Sequence, residues 1–221
     1  MRRVLRDNGL SIVLFGLFLV FLVGESVAGL KAQNAEREQH GEPPISYGEF
    51  VTSGRFIEST TENWESEFLE MMAYVLFTAF LFQRGSAESK NPDEPEEVDR
   101  DPAHAKASRH APWPVRRGGW VAHVYGYSLS LALLLLFLAS FLLHAWGGMR
   151  AYNDEQREHG EAPASFTQFM ATSEFWFQSL QNWQSEFLGI GSMVVLSIFL
   201  RQRGSPESKP VDAPHSQTGG H

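Results

Sequence analysis

Polar and apolar positions in this 221-residue chain fall into long blocks rather than an even mixture. Leu10 to Leu30 is a 21-residue run in which Glu25 is the only ionisable group, and Ser128 to Trp146 is a 19-residue run with only His144. At about 1.5 Å per residue, either run crosses a hydrocarbon core of about 30 Å as a helix. Ile12 to Val23 and Leu131 to Phe137 are apolar on every face rather than striped, which argues against core helices of a soluble bundle. Two shorter runs, Phe68 to Phe82 and Phe187 to Leu200, have 15 and 14 residues. To span, their helices must begin about one turn earlier, at Asn63-Trp64 and Asn182-Trp183, which puts the tryptophans in an interfacial aromatic belt. The pattern therefore predicts four transmembrane helices.

The four runs are two copies of one pair. Asn63-Trp64-Glu65-Ser66-Glu67-Phe68-Leu69 returns as Asn182-Trp183-Gln184-Ser185-Glu186-Phe187-Leu188, at an offset of 182 − 63 = 119. The same offset relates Asn34 to Asn153, His40-Gly41-Glu42 to His159-Gly160-Glu161, and Gln83-Arg84-Gly85-Ser86 to Gln202-Arg203-Gly204-Ser205. A repeat of this length is a tandem duplication of a helix pair. Units of two helices insert in the same orientation, so the repeat is parallel about a pseudo-twofold axis along the membrane normal.

Charge sets the orientation. Arg2, Arg3 and Arg6 precede the first run, Arg84 and Lys90 follow the second, Arg116 and Arg117 precede the third, and Arg201, Arg203 and Lys209 follow the fourth. The loop over residues 31–63 is acidic on balance, with Glu36, Glu38, Glu42, Glu49, Glu58 and Glu62 against Lys31, Arg37 and Arg55. By the positive-inside rule both termini and the central linker are cytoplasmic and the two loops face outward. Arg2 and Arg3, with Ser26-Val27-Ala28 beyond the run, have the form of a signal peptide. The equivalent run deep inside the chain argues that the first is retained. A mean hydropathy of −0.22 averages over these two populations and misleads. The net charge is −8, and with no cysteine there are no disulfides, thiolate metal sites or cysteine nucleophiles.

In each outer loop the polar stretch after the membrane run continues as helix until Gly41 or Gly160, with proline beyond. Ser46-Tyr47-Gly48-Glu49 and Ser165-Phe166-Thr167-Gln168 are capping boxes that start a short helix. Its apolar residues, Phe50, Phe56 and Ile57 in one loop and Phe169, Phe175, Trp176 and Phe177 in the other, suit an outer interfacial position. Proline and acidic residues crowd the stretch from Asn91 to Pro114, which reads as a disordered linker. The organisation expected is a first two-helix unit over 1–90, an acidic linker over 91–119, a second unit over 120–209 and a disordered tail over 210–221.

The duplicated unit, with its Asn-Trp-x-Ser-Glu-Phe block and its Gln-Arg-Gly-Ser-x-Glu-Ser-Lys ending, resembles a family of small bacterial membrane proteins classified only as a domain of unknown function. The resemblance implies a bacterial origin and an integral membrane location, here the inner membrane. It supplies no activity, ligand or catalytic residue.

Intramembrane ionisable groups are the candidate chemistry. Glu67 and Glu186 fall inside the boundary, and Asn63 and Asn182 sit at i−4 on the same face. Glu25 and His144 occupy equivalent positions (144 − 25 = 119) and are expected to face each other as a polar pair. One reading makes these six residues a site for a proton, a cation or a small polar solute. The other has the glutamates reach to the interface while Asn and Ser join helices. Arg84, Lys90, Arg203 and Lys209 are candidates for anionic lipid headgroups or simple stop signals. Glu36/His40 and Glu155/His159 are i,i+4 pairs that suit a helix end better than an incomplete metal site. Gly24-x-x-x-Ala28 and Ser185-x-x-x-Gly189 are expected to be close helix contacts.

No metal or cofactor is called for, since the Glu-x-x-His pairs of di-iron bundles are missing. No nucleotide loop, hydrolase triad or zinc-protease spacing occurs, and basic residues at membrane edges give nucleic-acid binding no support. The fold expected is all-α: a four-helix integral membrane protein, a tandem parallel duplication of a transmembrane hairpin with outer interfacial helices. The leading function is a non-enzymatic membrane module that packs, senses or scaffolds, with the lipid bilayer as partner and a second copy or another membrane protein as further partners. A proton, cation or solute conduit is the alternative, and a membrane redox or metal protein a third.

Overall fold

The computed structural model describes residues 2–105 and 108–219. Among them the chain is all-α, with eight α-helices, two short 3-10 turns and no strand. The helices are α1 (Arg2–Gln39), α2 (Tyr47–Val51), α3 (Gly54–Phe80), α4 (Trp113–Arg117), α5 (Gly119–Gly126), α6 (Ser128–Glu158), α7 (Phe166–Phe169) and α8 (Ser173–Phe199). By length and composition α1 and α6 are able to cross a membrane. The apolar side chains of α1 point away from protein: Leu10, Phe15 and Phe21 are 76%, 70% and 68% exposed. In water, that much uncovered apolar surface on one helix is unfavourable.

Both long helices end as their sequences dictate. Gly41 and Gly160 each take φ +74°, and the following Glu42 and Glu161 amides donate back to Arg37 and Gln156 carbonyls at 2.8 Å. This is the Schellman arrangement, in which a glycine without a Cβ adopts the left-handed conformation that closes the last turn. His40 and His159 add a ring contact at 2.9 Å from Nδ1 to the carbonyls of Glu36 and Glu155. Both capping boxes form, at Ser46 with Glu49 and at Ser165 with Gln168.

The helices that the capping boxes open differ from expectation. Each lasts about one turn, and α3 and α8 then begin at Gly54 and Ser173, well before Asn63 and Asn182. At 27 residues each, α3 and α8 are about 40 Å long, so the shortage of length expected from the apolar runs disappears. The aromatic residues intended for an outer interface are instead in part core: Phe50, Phe169 and Phe175 are buried. They are drawn in because glycines on the long helices leave room for a ring.

The chain divides into two compact units, and each draws on both halves of the sequence. One comprises Met1–Thr61 with Leu143–Phe175, the other Glu62–Leu142 with Trp176–His221. In the first, a Cβ on Gly29 would stand 2.6 Å from the Phe50 ring, and one on Gly148 would stand 2.7 Å from the Phe169 ring. Phe50 meets Phe56 at 5.2 Å and Phe169 meets Phe175 at 5.6 Å between ring centroids. Asn34 holds the Ile45 backbone through both its amide atoms, at 2.8 and 3.1 Å, and Asn153 holds Ala164 in the same way at 2.6 and 2.9 Å. A side-chain amide of this kind satisfies a loop residue that has no ladder or helix to bond to.

The closest helix crossing also lies in this unit. A Cβ on Gly54 would be 2.5 Å from the Ala151 amide nitrogen, and one on Gly147 would be 2.6 Å from that of Glu58. The start of α3 therefore lies backbone to backbone on α6, as small-residue contacts permit. Gly24 and Gly189, expected at close contacts, have open space around them.

In the second unit the segments that follow α3 and α8 are built alike. The Gln83 amide donates to Ser89 Oγ at 2.8 Å and the Gln202 amide to Ser208 Oγ at 2.9 Å. The Glu88 and Glu207 amides donate to the Ser86 and Ser205 hydroxyls at 3.1 and 3.2 Å. Gly85 and Gly204, at φ +88° and +83°, make the bend. The Gln-Arg-Gly-Ser-x-Glu-Ser-Lys words are thus closed loops rather than only stop signals. Residues 210–219 turn back on them, held by two cations. Arg201 donates to the Pro210 and Ala213 carbonyls as well as to Ser197, Ile198 and Leu200 at the end of α8.

Candidate functional site

The six candidate polar residues divide between the two compact units. In the first, the Glu25 carboxylate accepts from the hydroxyls of Ser59 at 3.3 Å and Thr60 at 3.4 Å. The His144 ring is fully buried and lies 5.0 Å from the Phe175 ring. The start of α3 thus brings hydroxyls to Glu25, which itself is exposed. Its neighbour Ser26 is the buried residue there, bonded to the Tyr47 hydroxyl at 2.9 Å.

In the second unit α3 and α8 meet through the repeated block. The Trp183 indole N–H donates to Glu65 at 2.8 Å, the Ser66 hydroxyl to Glu186 at 3.3 Å, and the Asn182 amide to Glu62. Glu62, Glu65 and Ser66 share a helix face because they are three and four residues apart. Trp183 is further held by Phe137 of α6 and by Trp176, each at 6.3 Å between ring centroids. Of the carboxylates here Glu65 is the buried one, with no exposed surface, whereas Glu67 is exposed and Glu186 half-buried. Asn63 lies on the exposed side and Asn182 is half-buried. The sequence singled out Glu67 and missed Glu65. A signal was present: Glu65 is the one position at which the repeated block differs, against Gln184, and Gln184 is exposed. A carboxylate without water needs donors, and a Trp N–H from the facing helix supplies one.

At the far ends of α3 and α8 the four candidate cations have different surroundings. Arg84 is paired with Asp93 through both guanidinium nitrogens, at 2.5 and 3.1 Å, which holds the Asp93 carboxyl below its usual range. Lys90 reaches Asp99 at 2.6 Å and lies over the Phe82 ring. Lys209 is buried, and its ammonium points into carbonyls: Gly85 at 2.5 Å, Gln217 at 2.9 Å, His215 at 3.1 Å and Pro214 at 3.4 Å. Burial, and then the charge of Arg201, lower its pKa. Arg203 is exposed, and its side chain has no ion pair or hydrogen bond among the described residues. Beside it is a cavity of about 390 Å³ lined by Gln202 to Pro206 and Ser208 to Val211.

Between α1 and α3, the Glu36 carboxylate is paired with Arg55 at 2.5 Å. The position equivalent to Arg55 is Glu174 (174 − 55 = 119). Burial raises its pKa, helped by the charge of Glu155, whereas Arg55 lowers that of Glu36. Among the described residues no group of three His, Asp or Glu stands in metal-binding proximity.

A family model described as "Domain of unknown function (DUF6766)" matches residues 1–220. The chain belongs to this family. No curated protein and no solved structure matches it. Family membership thus extends over the segments joining the long helices, both loops with the Gln-Arg-Gly-Ser sequence and the tail alike, and the biochemical activity of the family is unknown.

Proposed function

We propose that this chain is a non-enzymatic module of the bacterial inner membrane, built from two duplicated helix pairs that insert in the same orientation with both termini in the cytoplasm. The observation that carries the reading is the use made of the polar groups at and inside the outer boundary of the membrane. Glu62, Glu65 and Glu186 each accept from a donor on the facing helix, respectively Asn182, Trp183 and Ser66. Polar contacts of this kind join helices where apolar burial gives no preference for helix over lipid. The outward apolar face of α1 and the basic flanks of all four runs support insertion. Four spans follow if α3 and α8, each about 40 Å long, cross with α1 and α6.

Cysteine-accessibility labelling tests the topology directly, because the chain has no native cysteine. Cysteines at Glu42 and Glu161 are expected to label from outside and one at Asp101 from inside. Labelling of the Glu161→Cys variant from the cytoplasm alone would end the parallel arrangement.

A second reading, proton or cation binding, is favoured by one observation. Glu186 on α8 accepts from Ser66, the residue next to Glu67 on α3, which brings carboxylates of two facing helices to one contact. Proteoliposomes carrying a pH gradient separate the two. The module reading expects no flux above empty vesicles, and flux lost in Glu186→Gln would establish the conduit.

A further inference from the structure

Two loops of one geometry, alike in sequence except for Ala87 against Pro206, have different surroundings, and the difference identifies a ligand class. In the first, the protein's own tail fills the bend. The Gly85 amide donates to Thr218 Oγ1 at 2.9 Å, the Gly85 carbonyl accepts the Lys209 ammonium at 2.5 Å, and the Ser86 carbonyl accepts the Gly219 amide at 2.9 Å. The His215 carbonyl comes to 2.7 Å of where a Gly85 Cβ would stand. The bend therefore offers a donor and an acceptor side by side, and the acceptor takes a primary ammonium.

In the second loop the same groups are open. Nothing lies within 4 Å of the corresponding position on Gly204, and the cavity of about 390 Å³ lies there. The amide and carbonyl of Gly204 have no hydrogen-bond partner among the described residues. Arg203 is unpaired, whereas its counterpart Arg84 is neutralised by Asp93. Phe199, Leu200 and Val211, 57%, 59% and 62% exposed, flank the loop with apolar surface. A ligand suited to this place carries an ammonium for the Gly204 carbonyl, an anionic oxygen for the Gly204 amide and Arg203, and an apolar body for the flanking side chains.

We infer that the Gln202–Val211 loop binds the phosphoethanolamine headgroup of a phospholipid. The ammonium sits on the Gly204 carbonyl as Lys209 sits on that of Gly85, and a phosphate oxygen takes the place of the Thr218 hydroxyl. Arg203 completes a charge-assisted contact to the phosphate, and the acyl chains leave along Leu200 and Val211. Phosphatidylcholine lacks the N–H donors that the carbonyl requires, and phosphatidylglycerol lacks the cation. The inference rests on reading α8 as a membrane span.

Native mass spectrometry of the full chain released from detergent, offered equal phosphatidylethanolamine, phosphatidylcholine and phosphatidylglycerol, provides the test. The expected result is at least tenfold preferential retention of one phosphatidylethanolamine, lost in Arg203→Gln and in Gly204→Val and kept in Arg84→Gln. The Arg203 change is at an exposed position and keeps the assay informative if the Gly204 variant does not fold. Equal retention of the three lipids, or unchanged retention in Arg203→Gln, would overturn the site. Soluble phosphoethanolamine displacing the lipid at equal concentration would overturn the lipid assignment. Failure of the membrane reading has a separate signature, recovery of the chain in the soluble fraction without detergent.

Discussion

The Trp183 indole N–H reaches the Glu65 carboxylate at 2.8 Å, joining α8 to α3 at a position where Glu65 has no exposed surface. Truncating either partner leaves a polar group at this part-buried contact without its bond, and that omission is more costly than the bond is favourable. Glu65→Ala is expected to destabilise by about 1 to 3 kcal/mol. Glu65→Gln, which keeps an acceptor oxygen, should change stability by much less. Thermal unfolding in detergent reads both. Equal losses in the two variants would mean that the charge, not the acceptor, matters.

Gly54 and Gly24 make a matched pair of substitutions. A Cβ at Gly54 would meet the Ala151 backbone at 2.5 Å, and a backbone atom cannot swing aside as a flexible side chain does. Gly54→Ala should destabilise by about 1 to 3 kcal/mol, as overpacking does. Gly24→Ala, with nothing within 4 Å, should be neutral or slightly stabilising through helix propensity. Yield of monodisperse protein and its melting temperature check the contrast.

The starts of α3 and α8 should respond to pH in opposite senses. Glu36 has its pKa lowered from 4.5 by Arg55, so this pair contributes above that value and its contribution is lost as pH falls through the lower, folded-state value. Both side chains are about half exposed, which limits the effect to no more than about 1 kcal/mol. Glu174 has its pKa raised from 4.5, first by burial and then by Glu155, so stability declines as pH rises through the raised value. Arg55→Gln should therefore be less stable than the parent at neutral pH and indistinguishable from it in acid. Glu174→Gln should be more stable at neutral pH, with the gain gone in acid. Melting temperature across the acid range measures each.

Lys209 holds residues 210–219 against the Gly85 loop through four carbonyls. Lys209→Met keeps the apolar stem and removes the donors, leaving those carbonyls without their ammonium. The tail should then become open to carboxypeptidase, while Lys90→Met, which breaks a surface pair with Asp99, should leave it protected. Mass measurement after brief digestion decides between them.

Much was legible in the sequence alone, because it depends on local order and on water. The long apolar runs, the stops at Gly41 and Gly160 and the capping boxes at Ser46 and Ser165 are set by neighbours within a few residues, so they can be read without knowing what packs on what. The family resemblance likewise needed only linear motifs. Which carboxylate is buried did not follow, because Glu65 and Glu67 lie two positions apart on different faces and only the approach of α8 distinguishes them. The same holds for Glu25, which meets hydroxyls from α3, and for Lys209, whose cage is made by residues from Gly85 to Gln217. Periodicity describes what one helix offers; hydrogen bonds between distant segments are decided by which backbones approach closely, here at Gly54 on α6 and at Gly85 on the tail.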